Sequence, residues 1–364
     1  VTAVRVLLSS FSLEEPMDDS RRPDEDGPDR RAFLKTVAGL AAGAVAAGCR
    51  GLDGGLSGVP GTGAGAVKGG VAMRIRAVVE RSEAVPTLEG AGVHLHRAFG
   101  FQSDNRFDPF LLLDDFRADD PSYYAPGFPW HPHRGIETIT YVTAGEVDHG
   151  DSLGNRGTIG PGDVQWMTAG SGIIHQEMPR GDALGRMHGF QLWANLPASD
   201  KMMAPRYRDV KAADIPAITL PGGVVVKVVA GRVAGQEGPV RDVVIDPEYL
   251  DVSVPAGVTF EHPVPSNHSA FAYVYDGFGR FGDDPAGGEA GNRTLLRFGD
   301  GDAVRVEGVT PGGVRFLLAS GRPLREPVAW RGPIVMNTPE ELSRAFQEYR
   351  DGTFLKHGQP GREP

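Results

Sequence analysis

The sequence predicts an all-β protein: two related barrel or sandwich domains in tandem, followed by one short C-terminal helix. Three observations carry this. Short β-branched and aromatic runs recur from about Met73 onward, each cut by Gly, Pro or Asp turn residues. The 364 residues include 51 glycines and 29 prolines without a collagen-like period, as many strands joined by tight turns require. Two short patterns also appear in both halves in the same order.

The strand-like runs are Ile136 to Thr143, Val164 to Met167, Phe190 to Ala194, Leu250 to Val254, Phe271 to Tyr275 and Arg315 to Ala319. No helical period precedes the C-terminus. Of the repeated patterns, Tyr141-Val142-Thr143-Ala144-Gly145 parallels Tyr273-Val274-Tyr275-Asp276-Gly277, and Gly160-Pro161-Gly162-Asp163 parallels Gly299-Asp300-Gly301-Asp302. A longer hairpin loop, Gly282 to Arg293, sets the second copy apart. The C-terminal helix announces itself by a capping box, with Thr338 at the N-cap, Pro339 at N1 and Glu341 at N3. Leu342, Ala345, Phe346 and Tyr349 share its packing face, and Gly352 stops it. Asp114-Asp115 reads as a turn cap.

Ahead of the barrels, residues 1–49 read as an export leader. Arg30-Arg31 and Lys35 precede a soft Ala/Gly run too weakly apolar to span a membrane, closing on small residues before Cys49, the only cysteine. The leader resembles a twin-arginine signal, although Asp29 stands where Ser or Thr is usual. Ala46-Ala47-Gly48-Cys49 resembles a lipobox with Ala46 in place of Leu, which would make Cys49 a lipidated N-terminus in the cell envelope or periplasm. Val1 is not an ordinary encoded start, and Met17 would give a shorter leader. Residues 50–72 form a Gly-rich tether, 73–215 the first barrel and 216–364 the second. The lone cysteine leaves no disulfide or thiolate cage. Net charge is −10, with no basic stripe beyond the leader, so a nucleic-acid partner is not expected.

Two histidine pairs carry the chemistry. His131 and His133 stand two residues apart, as do His175 and Glu177, and that spacing puts each pair on one face of a strand. Neighbouring strands would then offer three imidazoles and a carboxylate to one divalent ion. Iron leads the expectation; Mn, Ni, Cu and Zn suit the same donors. Sliding the first pair by the Tyr-Val match lands on Pro263 and Pro265, and sliding the second by the Gly-x-Gly-Asp match lands on Val314 and Phe316. One metal per chain follows. His262 and His268 fall out of register and read as surface or strand-end residues. His149 and His188 read as hydrogen-bonded histidines, while Gln191, Trp166 and Met167 are pocket or core residues.

The spacing His131-x-His133-x3-Glu137 through Gly145, then Gly162 through His175, resembles the two cupin motifs. The words themselves resemble the pirin family: Phe107 to Asp114, HPHRGIETITYVTAGEVDHGDSLGNRG from His131, PGDVQWMTAGSGIIHQEMP from Pro161, and Gly332 to Thr338 with its helix. The resemblance spans residues 73–356 and implies two cupin domains, each a double-stranded β-helix or jelly roll. It further implies an iron-dependent dioxygenase that opens the ring of flavonols such as quercetin, with dioxygen as co-substrate. Glu177 would take or hold the substrate proton. The alternative is a non-catalytic metal- and redox-sensing interaction protein; a Zn or Mn hydrolase or isomerase is a third reading. A monomer is expected, with membrane attachment only through Cys49. Glu137 occupies the acidic position of ordinary cupins and Glu177 that of pirins. Five protein ligands would leave an octahedral ion one open site, so Glu177 is taken as the ligand and Glu137 as an outer acid or strand-surface partner.

Overall fold

The computed structural model describes residues 73–101, 105–283 and 288–357. The leader with Arg30, Arg31 and Cys49, and the tether after it, lie outside the described residues. All six strand-like runs are strands, and the C-terminal helix spans Pro339–Arg350 with both halves of its capping box formed. An additional one-turn helix, Pro121–Tyr124, is capped by Asp120. Among the described residues no helix is long and apolar enough to cross a membrane.

The duplication is complete at the level of strand order. One large sheet runs Arg206–Val210, Val164–Thr168, Ile136–Ala144, His188–Asn195, Phe110–Asp115, Val93–Phe99, Val85–Glu89. The other follows the same path with Val78–Glu83, Thr294–Phe298, Ser269–Phe281, Val314–Gly321, Glu248–Val254, Val225–Ala230, Ala217–Thr219. A smaller sheet closes the first barrel: Phe128–His133, Ile173–Arg180, Glu146–Asp151, Arg156–Ile159. Thr259–Pro263, Ala303–Gly308, the far end of Ser269–Phe281 and Glu289–Gly291 do the same for the second. These are two tandem cupin barrels.

Strand correspondence corrects one of the two sequence matches. Gly160–Asp163 precedes the strand Val164–Thr168, whose counterpart is Thr294–Phe298, whereas Gly299–Asp302 follows that counterpart. The two Gly-x-Gly-Asp turns are therefore one strand apart. Any tight turn favours those residues, so the motif marks a turn without saying which one. The strand matching His175 and Glu177 is Ala303–Gly308, not the one holding Val314 and Phe316. Phe260, Val304 and Val306 fill the second barrel there as part of an apolar core, and the histidine on that face, His262 opposite Val304, is taken up by Glu248.

The barrels meet through the outer faces of the large sheets. Alternation along Ile136–Ala144 sends Ile139 and Tyr141 to this interface, and alternation along Ser269–Phe281 sends Phe271, Tyr273 and Tyr275. Both faces of each sheet are thus buried at its central strands, which is why these strands read as continuous apolar runs. The Tyr-Val repeat supplies a reciprocal clasp. Tyr141 donates to Asp251 Oδ2 at 2.7 Å, and its counterpart Tyr273 donates to Asp115 Oδ2 at 2.8 Å. Asp115 does cap a turn: as it ends the strand Phe110–Asp115, its Oδ1 accepts from the Arg117 backbone N–H at 3.1 Å, and the Arg117 side chain holds it at 2.7 and 2.6 Å.

Chain ends cross between barrels. Val78–Glu83 pairs with Thr294–Phe298 of the second barrel, although sequence placed it in the first. Ile334, Met336, Phe346, Tyr349 and Phe354, placed by sequence in the second, pack with Ile174 of the first. Contiguous numbering could not reveal this, because edge strands are filled by whichever chain end reaches them.

Replacing Tyr273 by Phe removes a hydrogen bond to a buried carboxylate and is expected to cost about 1.5–3 kcal/mol. Denaturant unfolding checks this; a loss under roughly 0.5 kcal/mol would show that Arg117 alone satisfies Asp115.

Candidate metal centre

Antiparallel pairing sets His131 directly opposite His175, and His133 opposite Ile173. The ring nitrogens of His131, His133 and His175 come together with all candidate ligand atoms within 4.8 Å of one another. A bulge follows His175, and Glu177, two residues on, lies outside that cluster. Its Oε1 accepts from Thr140 Oγ1 at 2.8 Å and Gln191 Nε2 at 3.2 Å; its Oε2 accepts from Gln191 Nε2 at 3.0 Å.

The tautomers follow from the acceptors. His131 Nδ1 faces the Pro129 carbonyl at 2.8 Å and His133 Nδ1 faces the Pro333 carbonyl at 3.1 Å. A carbonyl can only accept, so each Nδ1 carries the proton and each Nε2 is a bare lone pair. Those two Nε2 atoms are 3.0 Å apart. His175 Nε2 is buried with no hydrogen-bond partner. Burial pushes all three imidazoles below their ordinary pKa, His133 and His175 far below, with His131 adding to the effect on both. For His131 the Glu177 carboxylate pulls the other way without reversing it. Neutral imidazoles with facing lone pairs and no proton between them are a site that a cation would satisfy. Nitrogens ~2.1 Å from one ion lie ~3.0 Å apart at a right angle and ~3.4 Å apart at a tetrahedral one. The 3.0 Å pair lies within reach of one ion, and the candidate ligand atoms as a set lie within 4.8 Å of one another.

Glu137 is on the other side of the sheet. The Arg134-Gly135 turn, with Gly135 at φ +78°, resets the alternation between His133 and the next strand. Glu137 therefore shares the interface face with Ile139 and accepts from Thr168 Oγ1 at 2.6 Å and Trp166 Nε1 at 3.1 Å. The matching spacing of Glu137 to the histidines does not survive that turn. Thr138 and Thr140 take the inward face instead; Thr140, which sequence reasoning passed over, was legible only once the turn was known.

The remaining candidates separate cleanly. Gln191 reaches Glu177, and Trp193 stands edge-on to His133 with ring centroids 5.1 Å apart. Trp166 faces away, and Met167 is core. His149 is buried against Tyr207, with Asp209 at 3.5 Å, and His188 meets Asp119 at 2.7 Å. His262 and His268 do sit at strand ends but are buried rather than on the surface, bonded to Glu248 at 3.1 Å and Ser320 at 3.2 Å. Asp114, unlike Asp115, is no turn cap. It lies in mid-sheet, gripped by Arg97 at 2.8 and 2.7 Å; burial pushes its carboxyl up to about 6 against that pull. Asp114, Thr140, Glu177 and Gln191 border a cavity of about 20 Å³ walled by apolar side chains such as Leu95 and Phe116.

A cupin barrel with three converging imidazoles in one half and an apolar filling in the other is a bicupin with a single candidate metal centre among the described residues. The Pirin family pattern matches residues 92–194 and the Pirin C-terminal cupin domain matches residues 249–355, and the chain belongs to the pirin family. It is 47% identical to a pirin-like protein of Caulobacter vibrioides over 78% of this chain and 100% of that one. It is 40% identical to human Pirin over 72% of this chain and 88% of the relative. Among solved structures, a quercetin 2,3-dioxygenase from Acinetobacter baumannii superposes with TM-score 0.69 at 30% identity, covering 77% of this chain and 98% of the other.

The depressed histidine pKa values have a pH consequence. The unfolded chain, at the ordinary 6.5, binds protons before the folded one does. The stability held in these neutral histidines is complete above about pH 6.5 and is lost as pH falls toward the folded values. The metal-free protein should therefore show a falling denaturant midpoint from about pH 7 to about pH 5. Replacing His133 and His175 by Gln should flatten that slope; an unchanged slope would place its origin elsewhere.

Proposed function

We propose that this chain holds one divalent metal at His131, His133 and His175, with Glu177 as fourth ligand, and opens the ring of a flavonol with dioxygen. The observation that carries the metal reading is the pair of facing, unprotonated Nε2 atoms beside the partnerless His175 Nε2. Iron is the ion that the family resemblance implies; the donor set suits Mn, Ni, Cu and Zn equally. When bound, such an ion supplies Lewis acidity and, if iron, one-electron chemistry with dioxygen. Within the protein, Glu177 is the group suited to receive the flavonol hydroxyl proton. Its Oε2 accepts from Gln191 alone among the described donors, leaving a lone pair for that proton. Thr140 and Gln191 orient the carboxylate, and the apolar wall keeps water from competing.

Substrate would approach on the His131 side. His131 is partly exposed while His133 and His175 are buried, and the interior cavity has room for about one water. That small cavity is also the specific observation favouring the second reading, a non-catalytic protein whose metal state alters a docking surface.

Anaerobic reconstitution with iron, followed by oxygen uptake with quercetin, separates the two. Turnover supports the enzyme; full iron loading without uptake for any flavonol supports the interaction protein. Glu177→Gln is expected to lower turnover by about 10² or more and to weaken metal retention, whereas Glu137→Gln should keep the metal. The opposite pattern would overturn the ligand assignment.

The leader supports a separate proposal: export to the cell envelope, with lipid on Cys49. Cell fractionation tests it, and unprocessed protein confined to the cytoplasm would overturn it.

A further inference from the structure

His133 owes its tautomer to a residue 200 positions away, Pro333, whose carbonyl accepts from its Nδ1. How that carbonyl is kept in place is a question about the C-terminal segment. Three kinds of contact tie this segment to the ligand strands. Val335 N donates to Arg134 O at 3.1 Å, and Lys201 Nζ, itself buried, donates to both Gly135 O at 2.9 Å and Val335 O at 3.2 Å. The approach is so close that a Cβ on Gly135 would lie 2.0 Å from Val335 O. Beyond the helix, Arg134 turns its guanidinium onto the segment's far end, donating to Glu348 Oε2 and to Phe354 O, each at 2.7 Å. The same guanidinium lies 4.2 Å over the Phe354 ring, and its side chain is 2% exposed.

Arg134 is the residue directly after His133, yet it touches no other group of the site. We propose that Arg134 and Glu348 are positioning residues of the metal centre. Resting on the metal reading above, they clamp the C-terminal segment across the ligand strand, so that the Pro333 carbonyl holds His133 Nε2 bare for the ion. The first barrel's metal centre is then completed by the end of the chain rather than by its own strands alone. Burial of Arg134 gives the clamp its force: a guanidinium shielded from water needs its carboxylate and carbonyl partners, and moving either moves the segment. Glu348 also meets Lys356 at 2.9 Å on the solvent side, which serves as an internal comparison.

The test uses the full chain and Ni(II) as probe, with uptake followed by equilibrium dialysis and by quenching of Trp193, which adjoins His133. Glu348→Ala is expected to bind Ni(II) about 10- to 100-fold more weakly than wild type, with unchanged circular dichroism. Lys356→Ala and Tyr273→Phe should bind as wild type does, the latter despite a lower unfolding midpoint, so that loss of stability alone is not mistaken for loss of positioning. Long-range 15N NMR of the metal-free protein should show His133 protonated on Nδ1 in wild type and mixed between its nitrogens in Glu348→Ala. Should Glu348→Ala fail to fold, Glu348→Gln removes the charge that pairs with Arg134 and is expected to weaken Ni(II) binding in the same direction, with the same two readouts. Wild-type uptake with equal affinity in a folded Glu348 variant overturns this inference alone. No uptake by wild type overturns the metal reading and this inference with it.

Discussion

The central strands of both large sheets are buried on both faces, and the rest of the molecule depends on how those faces are filled. The outer faces meet each other, aromatic against aromatic, with Phe190 lying between Tyr273 and Tyr275 at ring centroid distances of 6.1 and 5.2 Å. Buried polar groups on these faces must be paired, and the Tyr141–Asp251 and Tyr273–Asp115 contacts pair them across the interface. The interface therefore takes one alternate set of side chains from the central strands. The opposite set is left to line each barrel, free to differ between copies.

That freedom is where the two copies part. In the second barrel the inward set is mainly Val, Leu, Phe and Ala, a close-packed core in which the buried His262 is paired with Glu248. In the first, the inward set includes Thr140, Gln191 and Glu177 together with three histidines. A core of that kind is costly unless each polar atom finds a partner, and most do. The exceptions include the Thr138 hydroxyl and the ligand histidine nitrogens, the latter converging with no donor among the described residues to satisfy them. A duplicated scaffold thus holds one half rigidly as support and lets the other carry polar chemistry.

Crossing chain ends bind the halves together in a second way. The first described strand completes the second barrel's sheet, and the last segment backs the first barrel's ligand strands. Each barrel on its own would lack an edge or a wall. Pirin family membership, with matches to both cupin halves, is consistent with a unit that works as a pair.

Much of this was legible in the residues. Strand positions followed from β-branched runs, the helix from its capping box, and the His131/His133 and His175 convergence from two-residue spacing, because alternation is a local property of extended backbone. Where the backbone leaves that regular state, local inference fails. Gly135 resets the alternation and sends Glu137 to the far face, and a generic glycine turn misaligned the second repeat by a whole strand. Asp115 was legible as a turn cap because its partner Arg117 is two residues on, whereas Asp114 resembled a turn residue because the partner that justifies it in mid-sheet, Arg97, comes from another strand. By itself the sequence determined the duplicated all-β scaffold and which histidines could meet. Only the tertiary structure decided which nitrogen of His131 and His133 is bare and which chain end backs the site. Both depend on carbonyls and ion pairs brought together from positions as far apart as His133 and Pro333, and no local pattern encodes that distance.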